Sequence, residues 1–165
     1  MMRPFLDTNV LIYAVDPADA AKQAVAQRLL SERGLLRPTI STQVLGEAYN
    51  VLNRRRGWAA DEALAAVRTF ASLPVVVANM DTVMAGLALA SQHRLSGWDA
   101  LIVQTALQAG CDTLYSEDMQ AGRRFGNLQI VNPFVLGAHE AVPASAPPSA
   151  PRRKAGPKAI RRRAV

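Results

Sequence analysis

The chain has 165 residues, 50% hydrophobic and 19% charged, with a formal net charge of +6; that length builds one core and is too short for two ordinary domains. Residues 138–165 hold seven of the 19 Lys and Arg and one of the 13 acids, so residues 1–137 carry twelve of each and are electrically balanced. The basic pI belongs to the tail, and net charge alone does not make the body a nucleic-acid binder. One cysteine, Cys111, excludes an internal disulfide and a cysteine-based zinc cluster, and suits a reducing compartment. His93 and His139, the only two histidines, leave Ser-His-Asp and paired-histidine catalysis poorly supplied, so any chemistry must come mostly from carboxylates.

Arg-Pro-Phe-Leu at 3–6 reads as a short strand ending at Asp7-Thr8-Asn9. Arg3 followed so soon by Asp7 does not read as a signal peptide, and no apolar stretch approaches the roughly 20 residues of a membrane span; a cytoplasmic chain without a membrane role is expected. Val10–Val15 is a short helix stopped by Asp16-Pro17, and residues 18–33 have helical spacing ending at Gly34. Pro38-Thr39-Ile40 is a brief strand, after which Ser41 caps a helix through Arg56, with Gly57 just past its end. A helix over 60–72 precedes Pro74 and a buried strand, Val75-Val76-Val77. Asp81 is the expected cap of a helix to His93, and Ser96 that of a helix over 97–109 closed by Gly110. Strands follow at 113–115 and 128–131. Short apolar strands alternating with helices predict a parallel sheet covered on both faces. Beyond Leu136 the Ala/Pro/Ser-rich and then Arg-rich sequence predicts a disordered tail over 138–165 after a domain over 1–137.

In open parallel sheets, ligands sit beyond the carboxyl ends of the strands. Asp7 follows the first strand and Ser116-Glu117-Asp118 the fourth, so acids from distant parts of the chain meet one edge. Each has a competing role, Asp7 as a helix cap and Asp118 as the cap of a turn. Glu47 falls on the flank of its helix, about 100° from the centre of the Val44, Leu45, Ala48, Val51, Leu52 stripe, with Asn50 and Arg54 on the same flank. This is the place of a cleft-wall side chain or of an ordinary boundary glutamate. Asp99 ends Ser96-Gly97-Trp98-Asp99, which also fits a capping box.

Taken together, Phe5-Leu6-Asp7-Thr8-Asn9-Val10-Leu11, Ser41 to Glu47, Trp98 to Val103, Leu114 to Met119 and Ile130-Val131-Asn132-Pro133-Phe134 resemble a PIN-domain ribonuclease, and closely the VapC-type toxins of bacterial toxin–antitoxin pairs. The resemblance runs over about residues 3–136. It implies a three-layer α/β/α fold with a central, mostly parallel five-stranded sheet. It places the family's acidic quartet on Asp7, Glu47, Asp99 and Asp118, with Ser116 at its hydroxyl position. The fourth acid varies within the family, so Glu117 is the alternative to Asp118, although alternation along the strand end would point Glu117 away. RNA is the implied substrate, cut to 5′-phosphate and 3′-hydroxyl ends. An antitoxin occupying the cleft and a homodimer are the implied partners. The basic tail departs from the family pattern.

Two carboxylates about 4 Å apart repel by roughly 4 kcal/mol at an effective dielectric near 20, so such a cluster takes up protons or a cation. Oxygen donors without His or Cys favour Mg²⁺, or Mn²⁺ in its place. Asp7, Asp99 and Asp118 are the expected ligands, with Glu47 positioning water. Thr8, Ser116, Trp98 and Arg54 are the expected substrate contacts. Trp98 has packing beneath its helix start as the competing role, and the arginines at 54–56 have the helix dipole. Arg123 and Arg124, and the clustered cations of the tail, are further candidates for RNA backbone. The alternative function is a non-catalytic RNA-binding PIN-like module. A receiver domain would need a phosphoacceptor after the third strand, where Ala78-Asn79-Met80 stands, and a haloacid-dehalogenase-type phosphatase would need D-x-D where the chain has Asp7-Thr8-Asn9.

Overall fold

The computed structural model describes residues 3–31 and 37–135; the expected helix end at Gly34 and the expected tail lie outside the described residues. Strand β1 (Pro4–Leu6) is buried throughout and passes directly into helix α1 (Thr8–Val15). Helix α2 (Ala20–Leu30) begins at Asp19, whose carboxylate accepts the Ala21 and Lys22 N–H groups. Strand β2 (Ile40–Ser41) leads into α3 (Thr42–Asn50), where the Ser41 hydroxyl accepts the Val44 N–H at 3.2 Å, as the sequence predicts. Then come α4 (Ala60–Phe70), β3 (Val75–Val76), α5 (Met80–His93), α6 (Gly97–Gln108), β4 (Thr113–Tyr115), β5 (Arg124–Phe125) and β6 (Leu128–Val131).

The main sheet runs β1-β4-β6-β5, parallel except where β5 turns back on β6 through Gly126, whose φ of 56° needs the left-handed region. A second parallel ladder joins β2 to β3. Thr39 stitches the two: the Leu6 N–H donates to the Thr39 carbonyl at 3.0 Å, and the Thr39 N–H to that of Pro4 at 2.8 Å. The α/β class and the mostly parallel sheet agree with expectation. The count of five strands does not, because β5 is a two-residue arm too short to carry a periodic signal, which makes six among the described residues. Helices α1 to α4 pack among themselves and α5 packs on α6. Gly86 permits the α5–α6 approach, since a Cβ there would stand 3.2 Å from the Leu101 Cα.

The core centres on Phe5, Leu6, Leu11, Ile40, Leu114 and Ile130, all essentially inaccessible; burying each such side chain contributes about 1.5–3 kcal/mol. A smaller cluster of Ile12, Ala48, Leu52 and Ala63 pins α1, α3 and α4 together. Two local expectations are corrected. Val77 is 65% exposed, because β3 stops at Val76 on a sheet margin. Asn79, not Asp81, caps α5: its Oδ1 accepts the Thr82 N–H at 2.9 Å and the Thr82 hydroxyl at 2.8 Å, two bonds that Asp81, already in the first turn, cannot make. No helix among the described residues is long and apolar enough to cross a membrane.

Candidate active site

Register brings the first acid to its neighbours. Leu6 pairs with Tyr115, so the next residues, Asp7 and Ser116, emerge side by side at the carboxyl edge of the sheet. The Asp7 N–H donates to the Tyr115 carbonyl and the Ser116 N–H to that of Val131, both at 3.0 Å, which fixes the two backbones. Asp7 is only 6% exposed. One of its carboxylate oxygens accepts the Thr8 N–H at 2.7 Å and the other the Ser116 hydroxyl at 2.6 Å. Ser116 in turn accepts the Met119 N–H at 3.2 Å, so its proton is directed at Asp7.

The two residues after Asp7 tie it to the other acids. Thr8 donates its hydroxyl to Glu47 Oε2 at 2.8 Å, linking the start of α1 to the flank of α3. Asn9 donates its amide to Asp118 Oδ2 at 3.2 Å and, at 3.5 Å, to Asp7 Oδ2, while its carbonyl accepts the Glu117 N–H at 3.3 Å. Asn9 therefore acts as a bracket between Asp7 and Asp118. Burial pushes the Asp7 carboxyl up to about 6; the Ser116 hydroxyl and Thr8 N–H oppose that rise, and the charges of Glu47 and Asp118 add to it. Asp7 is thus close enough to Glu47 and Asp118 to feel both charges.

The Glu117 carboxylate is engaged by other partners. Its carboxylate accepts the Tyr13 hydroxyl at 2.6 Å and pairs with the Lys22 ammonium, which also lies 4.6 Å from the Tyr13 ring centroid. Burial would raise its pKa, but the hydrogen bonds from Lys22 and Tyr13 outweigh that and hold it below the usual range. Glu117 and Asp118 both line the pocket beside Asp7, but it is the Asp118 carboxylate that the Asn9 amide joins to Asp7. Asp99 lies half-buried in the first turn of α6, where its N–H donates to the Ser96 hydroxyl at 3.0 Å. Its carboxylate has no hydrogen-bond or ion-pair partner among the described residues. The Gln43 amide donates to the Trp98 carbonyl at 3.3 Å, leaning this turn on α3 one turn before Glu47. The structure therefore links Asp7, Glu47, Asp118 and Ser116 through hydrogen bonds, and Asp99 stands outside that network. Among the described residues no three acidic, His or Cys side chains come within reach of one ion.

A cation still fits the donor set. Mg²⁺ commonly takes one or two carboxylates and keeps several waters, and the Asp7–Asp118 pair offers oxygen donors alone. The pocket beside them, about 210 Å³, is lined by Thr8, Asn9, Glu47, Arg55 and Asp118 among others. A larger cavity of about 690 Å³ adjoins it across Glu47, Val51 and Arg55, and extends to Arg54, Val83 and Trp98.

Asn9 and Arg55 were not among the expected site residues. Asn9 sits inside the D-T-N motif, and that adjacency was the available signal. Arg55 was hidden by helical phase: residues 51–55 form a π turn, with the Arg56 N–H donating to the Val51 carbonyl at 3.0 Å. A π turn holds one residue more than an α turn, so the face slips back and Arg55 comes round to the side of Glu47. Arg56 is bound to Asp16 at 2.9 Å, whereas Arg54 and Arg55 form no ion pair among the described residues.

The PIN domain family model matches residues 5–124. Among solved structures, the chain is similar to Mycobacterium tuberculosis VapC20, described as a sarcin–ricin loop cleaving toxin, at 28% identity over 70% of this chain and 89% of that one, with a TM-score of 0.57. It shares its fold with VapBC2 of Rickettsia felis, solved with a DNA fragment from its promoter, at 19% identity, 78% and 97% coverage and a TM-score of 0.58. The same holds for VapBC-1 of nontypeable Haemophilus influenzae, at 17% identity, 80% and 98% coverage and a TM-score of 0.58. No curated protein matches significantly.

Proposed function

The chain belongs to the PIN domain family, and from that premise we propose that it is a metal-dependent endoribonuclease acting as the toxin of a toxin–antitoxin pair. The observation that carries the reading is the buried Asp7 carboxylate, held by Ser116 and bracketed through Asn9 to Asp118. Asp7 and Asp118 would hold the cation, with Asp99 the further candidate ligand, its carboxylate having no partner among the described residues. Mg²⁺ bound there, or Mn²⁺ in its place, would supply charge to polarise the phosphate and to acidify a water at neutral pH. Glu47 has one oxygen engaged by Thr8, which leaves the other to orient the attacking water and take its proton. Attack on phosphorus breaks the bond to the 3′ oxygen and leaves a 5′-phosphate. Thr8 and Ser116 set the acids, Arg54 meets RNA backbone, and Trp98 lies on the side of the cleft where RNA enters.

Support for the toxin role comes from the likeness to VapC20, itself a sarcin–ricin loop cleaving toxin. An antitoxin covering the cleft and a homodimer complete the reading. An exposed row on α5, Met80, Met84 and Leu87 at helical spacing, supports a protein partner. The cytoplasm is the compartment that goes with an RNA target. The test is cleavage of RNA in Mg²⁺ or Mn²⁺, abolished by EDTA and by Asp7→Asn. One observation favours a non-catalytic RNA-binding module, namely that no three candidate ligands converge among the described residues; RNA retained without cutting in either metal would establish that reading instead.

A further inference from the structure

The larger cavity has no role in the acid chemistry, yet it shares Glu47, Val51 and Arg55 with the acidic pocket. Its far wall carries Trp98, 68% exposed although an indole is among the side chains that most favour burial. Packing beneath the start of α6, the competing role for this residue, is therefore not what Trp98 does. Val83, Ala78 and Leu101 make the cavity apolar, and Arg54 and Arg55 stand on its rim. In the same wall, Gln43 Oε1 is buried with no hydrogen-bond partner among the described residues, its amide nitrogen being engaged by the Trp98 carbonyl. An aromatic face, two uncommitted guanidinium groups and an orphan acceptor are the elements with which proteins hold an unpaired nucleotide. The volume of about 690 Å³ is ample for one base and its sugar.

We propose that this cavity is a nucleobase subsite: an unstacked base of the RNA, next to the cleaved phosphate, lies against Trp98, with its flanking phosphates on Arg54 and Arg55. Because the two cavities meet at Glu47, the strand passes from acid pocket to base pocket without leaving the protein surface. A turn of the Gln43 amide offers its oxygen to a base that presents an N–H donor, which makes Gln43 a specificity residue. The proposal rests on the ribonuclease reading above and deepens it.

The test uses the full chain carrying Asp7→Asn, so that RNA is bound and not cut. Single-stranded RNA 12-mers carry 2-aminopurine at successive positions around the cleavage site mapped with the wild-type chain. Expected is fluorescence quenching at one position next to that site, lost in Trp98→Ala and kept in Trp98→Phe, with affinity by anisotropy falling roughly tenfold in the alanine variant. With residue 7 restored, Trp98→Ala should raise KM and blur the choice of site, and Gln43→Leu should alter base preference. Equal affinity, quenching and site choice in Trp98→Ala would overturn the subsite while the wild-type chain still cuts RNA. A change of oligomeric state in Trp98→Ala with unchanged RNA affinity would overturn it in favour of a protein interface. A wild-type chain that neither binds nor cuts RNA would end the parent reading as well.

Discussion

Asp7 is buried, and the proposed role of holding a cation requires it charged, a demand that its surroundings make measurable. Its pKa of about 6 against an ordinary 3.8 means that the folded state disfavours the ionised form. The stability associated with the protonated form is intact below about pH 4 and is lost as pH climbs through 6. The full difference amounts to about 3 kcal/mol. In metal-free protein at pH 7, Asp7→Asn should therefore stabilise the fold by about 1–3 kcal/mol, raising Tm by a few degrees, with the gain vanishing near pH 4. Thermal melts across that range would check this, and a variant less stable than wild type at pH 7 would contradict it. On the proposed reading, the same substitution should also remove RNA cleavage. Residue identity at the next acidic position was also only partly legible. Two acids stand side by side at 117 and 118, and nothing in the chain announces that Lys22 and Tyr13, a hundred residues away in sequence, claim Glu117. Glu117→Gln should accordingly cost a few-fold in kcat and Asp118→Asn at least a hundredfold, compared in one cleavage assay.

At the scale of elements, local chemistry was readable wherever a short-range signal sufficed. Ser41 and Ser96 cap α3 and α6 as their spacing predicts, and Asp7 takes the N-cap of α1 while serving the pocket. A cap and an acidic ligand site are compatible because both want an oxygen at a helix start. The misses have more than one physical origin, some in contacts between elements and some in local geometry that composition does not announce. The arm β5 exists only by pairing with β6, and Asn79 outcompetes Asp81 because its side chain reaches two donors. The π turn after Asn50 has no sequence signature, although it decides which arginine faces the acids. Arg55 lines both cavities and Arg54 only the larger. Arg55→Ala should therefore raise KM for RNA by roughly tenfold and Arg54→Ala by less, a ranking opposite to the one the flank position of Arg54 predicts. Steady-state kinetics on one oligonucleotide separate the two.

The whole molecule divides into an electrically balanced body and a strongly basic extension. On the proposed reading, RNA phosphates are repelled by the acid pocket of the body until a cation is bound, and attraction has to come from elsewhere. Seven cations over residues 138–165 displace counterions in proportion to the phosphates they meet. Removing that segment should flatten the plot of log affinity against log salt by up to about 5 units of slope for single strands, with kcat at saturating RNA unchanged. An unaltered slope would assign the attraction to the body.

Everything in this account turns on whether Asp7 and Asp118 share a divalent ion. Crystals of the full chain soaked in Mn²⁺ and measured at the manganese absorption edge answer it. Expected is an anomalous peak at metal–oxygen bonding distance from both carboxylates, absent in Asp7→Asn; millimolar Mn²⁺ giving no peak there, with RNA present, would contradict a shared ion.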